Sequence, residues 1–176
     1  MKKIRLLLFL IATALSLNNT VATTVIPPTF DQLVEEAQLI FQGSVTDVRC
    51  QWVGEGAQRR IESFVTFLIE DPIKGEPGST YTLRMLGGTI DGETMGIADA
   101  PIFKKGDRDI LFVENNGNQF IPLVGIMHGR FRVRLDNLAG REIVTDNTGG
   151  AVGGVVGLTA ADFKTAIRTK LRSSAR

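Results

Sequence analysis

The amino-acid sequence predicts a mainly β, single-domain fold: an antiparallel β-barrel, closed or partly closed, with a short helix ahead of the first strand and an amphipathic helix at the end. Two observations carry that reading. Ile61, Ser63, Val65, Phe67 and Ile69 alternate with Glu62, Phe64, Thr66, Leu68 and Glu70. After turn residues Pro72, Gly75, Pro77 and Gly78, the chain returns with Tyr81, Leu83 and Met85 set against Thr80, Thr82 and Arg84. Farther on, Phe131, Val133 and Leu135 alternate with Arg130, Arg132 and Arg134. A period of two over β-branched and aromatic residues marks a half-buried strand. Short strands with hairpin turns favour a barrel over an α/β sheet, with a β-sandwich as the alternative.

The chain opens on a leader. Lys2, Lys3 and Arg5 precede the apolar run Leu6–Leu17, and Thr20-Val21-Ala22 supplies small residues for cleavage. The pattern predicts a signal peptide over 1–22, a mature domain over 23–176 and a secreted or periplasmic location. The apolar run is too short to span ~30 Å of hydrocarbon, so no stable membrane anchor is expected after cleavage. Taking Lys2, Lys3 and Arg5 from the 20 basic residues leaves 17 against 19 acidic ones. That near-neutral balance argues against nucleic acid as a partner. Cys50 is the only cysteine, so the exported chain has no internal disulfide. Within the alternation Val48, Cys50, Trp52 it reads as a small buried residue, with a reactive thiol or an intermolecular bridge as the alternative.

The elements follow in order. Ile26-Pro27-Pro28 is an extended lead-in. Thr29 with Gln32 makes a capping-box pattern, and Phe30, Leu33, Val34 and Ala37 fall at helical spacing, predicting a helix from Phe30 to Ala37. Leu39–Trp52 is a strand with Gly43 as a bulge or bend, and Gly54–Arg60 is a polar turn into the central pair. Gly87–Gly106 has no period. It carries five glycines and Pro101 together with Asp91, Glu93 and Asp99, and a loop that long is uncommon unless it is functional or mobile. Asp109–Glu114 is an apolar strand, Asn116-Gly117-Asn118 a tight turn, and Gln119–Val124 a returning strand. After Phe131–Leu135, Asp136-Asn137 and Gly140 turn the chain into Arg141–Thr145. A Gly-rich stretch then leads to Thr159, which caps a helix with the apolar stripe Phe163, Ala166, Ile167 and Leu171.

The chemistry is sparse. His128 is the only histidine, which excludes every motif needing a histidine pair, and with one cysteine no structural zinc site of the usual ligands can be built. No G-x-S-x-G elbow occurs, so His128 reads as a loop or core residue and no catalytic residue is assigned. Asp91, Glu93, Asp99, Asp107 and Asp109 read as a solvated polar cluster; a divalent cation or an acid–base pair is the alternative, and no metal ligand is assigned. Gly149–Gly154 lacks the G-K-[ST] and G-x-G-x-x-G patterns and reads as a connection, with no cofactor expected. Arg130, Arg132 and Arg134 share one strand face, read as solvated and paired with acidic neighbours, or else as a surface for an acidic partner.

Three pieces of sequence carry a resemblance: Ala37–Val45 (AQLIFQGSV), Ile73-Lys74-Gly75 and Gly106–Val113 (GDRDILFV). Together they resemble exported bacterial proteins of unassigned function and, more distantly, the netrin-like, tissue-inhibitor-of-metalloproteinase superfamily. There an "A-x-hydrophobic-x-G-x-V" strand, a "K-G" turn and a "G-x-x-Y-L-L-F" strand build an OB-type barrel. The resemblance covers about half of the mature chain and implies an OB-like fold and an extracellular binding role. The superfamily's inhibitors act through an amino-terminal cysteine that ligates the target's zinc. No cysteine lies near Thr23 here and the family's disulfides are missing, so that mechanism does not carry over.

The expected function is an exported, non-enzymatic binding module recognising a protein or a saccharide through residues 87–106. Asp91, Glu93, Met95, Ile97 and Asp99 are the candidate contacts, and Arg130, Arg132 and Arg134 the second choice. A carboxylate- or cation-dependent hydrolase and a structural or surface-assembly subunit are the alternatives.

Overall fold

The capping box forms as the sequence predicts. In the computed structural model, which describes residues 27–174, the Thr29 hydroxyl accepts from the Gln32 N–H at 3.2 Å and the Gln32 side-chain oxygen accepts from the Thr29 N–H at 2.8 Å. These bonds start helix α1 (Phe30–Glu36), which buries Leu33 and Val34. Lys74 closes its other end, donating to the Val34 and Glu35 carbonyls at 2.7 and 3.1 Å. Gly75 follows at φ 71, where a Cβ would stand 2.5 Å from the Leu39 side chain, so the "K-G" turn is a helix clamp and a close approach at once. The predicted leader over 1–22 and its cleavage point lie outside the described residues.

The strands are β1 (Leu39–Val53), β2 (Arg60–Lys74), β3 (Thr80–Leu86), β4 (Gly88–Ile90), β5 (Glu93–Met95), β6 (Arg108–Val113), β7 (Arg130–Asp136) and β8 (Arg141–Thr145), followed by helix α2 (Ala160–Ser174). Six form one antiparallel sheet in the order β3-β2-β1-β6-β7-β8, while β4 and β5 pair separately. Three consecutive strands with a fourth returning beside the first make a Greek key.

The closed form of the predicted barrel is not present among the described residues, and neither is a sandwich of two packed sheets. The sheet ends at β3 and β8, because other groups occupy both edges. Asn116 accepts from the Arg84 N–H and donates to the Thr82 carbonyl, both at 2.9 Å, and Leu86 N–H donates to the Phe120 carbonyl. On β8, Val144 N–H donates to the Leu158 carbonyl.

Each face of the sheet has its own core. Ile40, Ile110, Phe112, Phe131 and Val144 pack against Leu33, Phe163 and Ile167 of the helices. Phe41, Val45, Val65, Phe67, Leu83, Met85 and Leu111 face the other way, under Phe103, Ile121 and Leu123 from loops. β6 is therefore buried on both faces, which explains its continuous apolar run. In β1 the register slips at Ile40/Phe41, Gln42/Gly43 and Val45/Asp47, so the expected irregularity at Gly43 is one of three. After the last slip Val48 and Cys50 take over the face that Phe41 and Val45 held.

Two predicted boundaries move. β2 runs five residues past Ile69, because Pro72 lies opposite Phe41 at a register slip, where a missing N–H is tolerated. Gln119–Val124 is no strand: it carries one isolated bridge, Val113 with Leu123. Pro122 has no N–H to continue a ladder, and the segment instead folds Ile121 and Leu123 into the second core.

Candidate functional site

The connection from β3 to β6 is the predicted working segment, and it has more structure than its sequence suggests. Asp91 and Gly92 both take positive φ, 50° and 84°, as a two-residue hairpin turn requires. The turn pairs β4 with β5, and the Thr89 and Thr94 hydroxyls meet at 3.0 Å. Its foot rests on the sheet. Ser63 donates from Oγ to the Gly87 carbonyl at 2.6 Å and lies 3.4 Å from the Cys50 Sγ. A Cβ on Gly88 would come within 2.6 Å of that sulfur, so glycine is what lets the backbone lie flat on Cys50.

Between this segment and the second face lies an open cavity of about 550 Å³. Val48, Cys50, Val65 and Met85 form its floor, and Met95, Ile97, Asp99, Ile102 and Phe103 face them. Phe103 is buried edge-on against Phe67 at 5.5 Å, whereas Ile102 is 77% exposed at the rim. Of the five predicted contacts, Met95, Ile97 and Asp99 line the cavity. Asp91 and Glu93 stand in solvent at the hairpin. The sheet-borne floor was missed, although the Val48–Cys50 alternation pointed to it; Cys50 is half-buried.

The predicted arginine face divides. Arg130 is not solvated: it is 2% exposed and fully engaged. It donates to both oxygens of Asp109 at 2.9 and 3.1 Å, to Asp107 at 2.8 Å and to the Ile102 carbonyl at 2.7 Å. Its guanidinium lies 4.0 Å over the Phe103 ring. Burial pushes the Asp109 carboxyl up and Arg130 draws it back toward the charged form. Arg130 thus fastens the outgoing end of the cavity wall. Arg132 is half-buried, 3.8 Å from Asp107, and shares with Asp99 and Lys104 a depression of about 410 Å³. Arg134 is exposed and lines neither space.

His128 lies on the opposite side of the sheet from Cys50. With Phe30, Phe163 and the 146–158 segment it lines an apolar groove of about 560 Å³. The Gly-rich stretch is folded there by Asp146, whose Oδ1 accepts from the Thr148 N–H and hydroxyl and from the Gly150 N–H, all within 2.8 Å. Among the described residues, no three His, Cys, Asp or Glu side chains come together to hold a metal ion.

Comparison with protein families, with curated proteins and with solved structures finds no match to this chain.

Proposed function

We propose that the protein is an exported, non-enzymatic binding module that takes apolar side chains of a partner protein into the cavity beneath residues 95–103. The observation that carries this is the cavity: about 550 Å³, with an apolar floor on a sheet, an anchored wall and an exposed isoleucine at the rim. A protein partner suits it better than a saccharide, since Phe103 is the one aromatic residue in the lining and its ring is covered by Arg130. The Greek key and the bulged first strand support reading the sheet as a partly open OB-like barrel, the fold the netrin-like resemblance implies. A surface-assembly subunit is the second reading, favoured by Leu135 and Leu138, 62% and 100% exposed around the β7–β8 turn.

Peptide-library selection on the mature protein, run beside an oligosaccharide array, tests the proposal. Peptides bearing apolar side chains should be enriched, and Ile102→Asp with Met95→Gln should weaken them tenfold or more. The melting midpoint should move by no more than a few degrees, because Ile102 is mostly exposed. Saccharide binding without peptide binding, or peptides indifferent to both substitutions, would refute it.

A further inference from the structure

β1 is flanked on both sides only over its first half. Leu39–Ser44 pairs with β6, and Val45 exchanges backbone hydrogen bonds with Gly106 and Asp107 at 2.8 Å. Beyond the slip at Val45/Asp47 the ladder to β2 continues to Val53, yet no described strand lies on the other side of Thr46–Val53. Backbone N–H and C=O groups pointing that way form a template for another extended chain. At ~3.3 Å per residue the template is about 26 Å long. The sheet's two outer edges are treated differently, being capped by Asn116 and Phe120 on β3 and by Leu158 on β8.

This edge also borders the cavity. Val48 and Cys50 belong to the strand and line the floor, with Ile102 and Phe103 facing them. A strand added here would send every second side chain into that space. Its other side chains would lie beside Asp47 and Arg49, an ion pair at 2.7 Å whose side chains are 48% and 75% exposed. The pair offers one charge of each sign.

Resting on the binding-module reading, we infer that Thr46–Val53 accepts an extended segment of a partner polypeptide as an added β-strand. The segment carries apolar residues at alternate positions, for the cavity, and polar or charged residues between them, for Asp47 and Arg49. Main-chain hydrogen bonds hold it and the cavity selects its side chains. A second copy of this chain fits less well. Two such edges would share a ribbon one strand wide, far short of the ~1,200 Å² of a stable interface.

The probe is a ten-residue peptide alternating valine and threonine with a lysine at each end. Two further versions are N-methylated on alternate amides in opposite phase, which removes backbone donors while leaving side chains unchanged. Binding to isotope-labelled mature protein is followed by amide hydrogen exchange and by the alkylation rate of Cys50. The peptide should slow exchange within Thr46–Val53 at least tenfold and slow alkylation. One methylated phase should bind at least tenfold more weakly, and the other should bind like the parent. Equal binding by both phases, or shielding of Cys50 without protection of the edge, overturns the added strand and leaves the cavity reading standing. Failure of the probe to bind at millimolar concentration also overturns it, while the Ile102-dependence of library-selected peptides decides the parent reading separately. Protection that rises with protein concentration alone, with a dimer in sedimentation, makes a second copy the occupant and overturns the inference.

Discussion

Arg130→Met removes the guanidinium while keeping most of the side chain's volume. What remains is Asp109, 0% exposed, stripped of both hydrogen bonds from its partner. Breaking a buried ion pair by deleting one member typically destabilises by about 3–5 kcal/mol. Near 150 residues each kcal/mol moves the melting midpoint by roughly 2–4 °C, so a fall of about 6–20 °C is expected. The loss should narrow as pH falls. A buried carboxyl without its cation has a raised folded pKa, so stability is lost as pH rises and recovered on protonation. Asp109→Leu on top of Arg130→Met removes the stranded charge and should restore most of the stability, since Asp107 is partly exposed and keeps access to water. Urea unfolding of wild type, both single variants and the double variant gives the coupling directly, provided the slope is unchanged. A loss under ~1 kcal/mol in Arg130→Met, or a double variant as unstable as the two singles added together, refutes this account of the network.

Phe67→Ala should cost about 3–5 kcal/mol, because the ring is fully buried between Phe41 and Phe103, whereas Thr66→Ala should cost far less; equal losses in chemical denaturation would break the period-two reading. The Glu62 carboxyl is held below its ordinary range by the Arg84 guanidinium, against burial, with Arg60 assisting. Its contribution is complete above about pH 4.3 and fades as pH falls through the lower folded value, so Glu62→Gln should flatten the acid limb of a stability–pH profile. For export, mass spectrometry of protein from its native host should find an amino terminus close to Thr23, and an intact Met1 in cytosolic material would end that reading.

Local signals were the ones the sequence displayed well. The Thr29–Gln32 box, the alternation of β2 and β7 and the Thr159 cap each depend on residues within a few positions, and each forms. β4 and β5 escaped because three-residue strands are too short to show a period, although Asp91-Gly92 is itself a hairpin signal. Arg130 misled for a different reason. Alternation places a side chain on a face without saying what covers that face, and here the cover is Phe103 and the Ile102 carbonyl, brought from 27 and 28 residues upstream. The cavity was half legible: the loop wall declared itself by its missing period, while the floor joins Val65 and Met85 of β2 and β3 to Val48 and Cys50 of β1, which reach that face only after a slip that exchanges the strand's two faces.

The plug on β3 carries a chemical clock. Asn116 is followed by Gly117, the pairing in which the succeeding nitrogen most readily attacks the side-chain amide and converts asparagine to aspartate or its isomer. In the native fold that amide is engaged at both ends, accepting from the Arg84 N–H and donating to the Thr82 carbonyl. Each time the 114–120 turn lifts, the amide is released and the reaction can run. Once it has run, the donor that satisfied Thr82 is gone and the strand edge stands open to neighbouring molecules. Stored protein should therefore age through this one bond, at a rate set by how often the turn opens, and Asn116 deamidation should precede its aggregation.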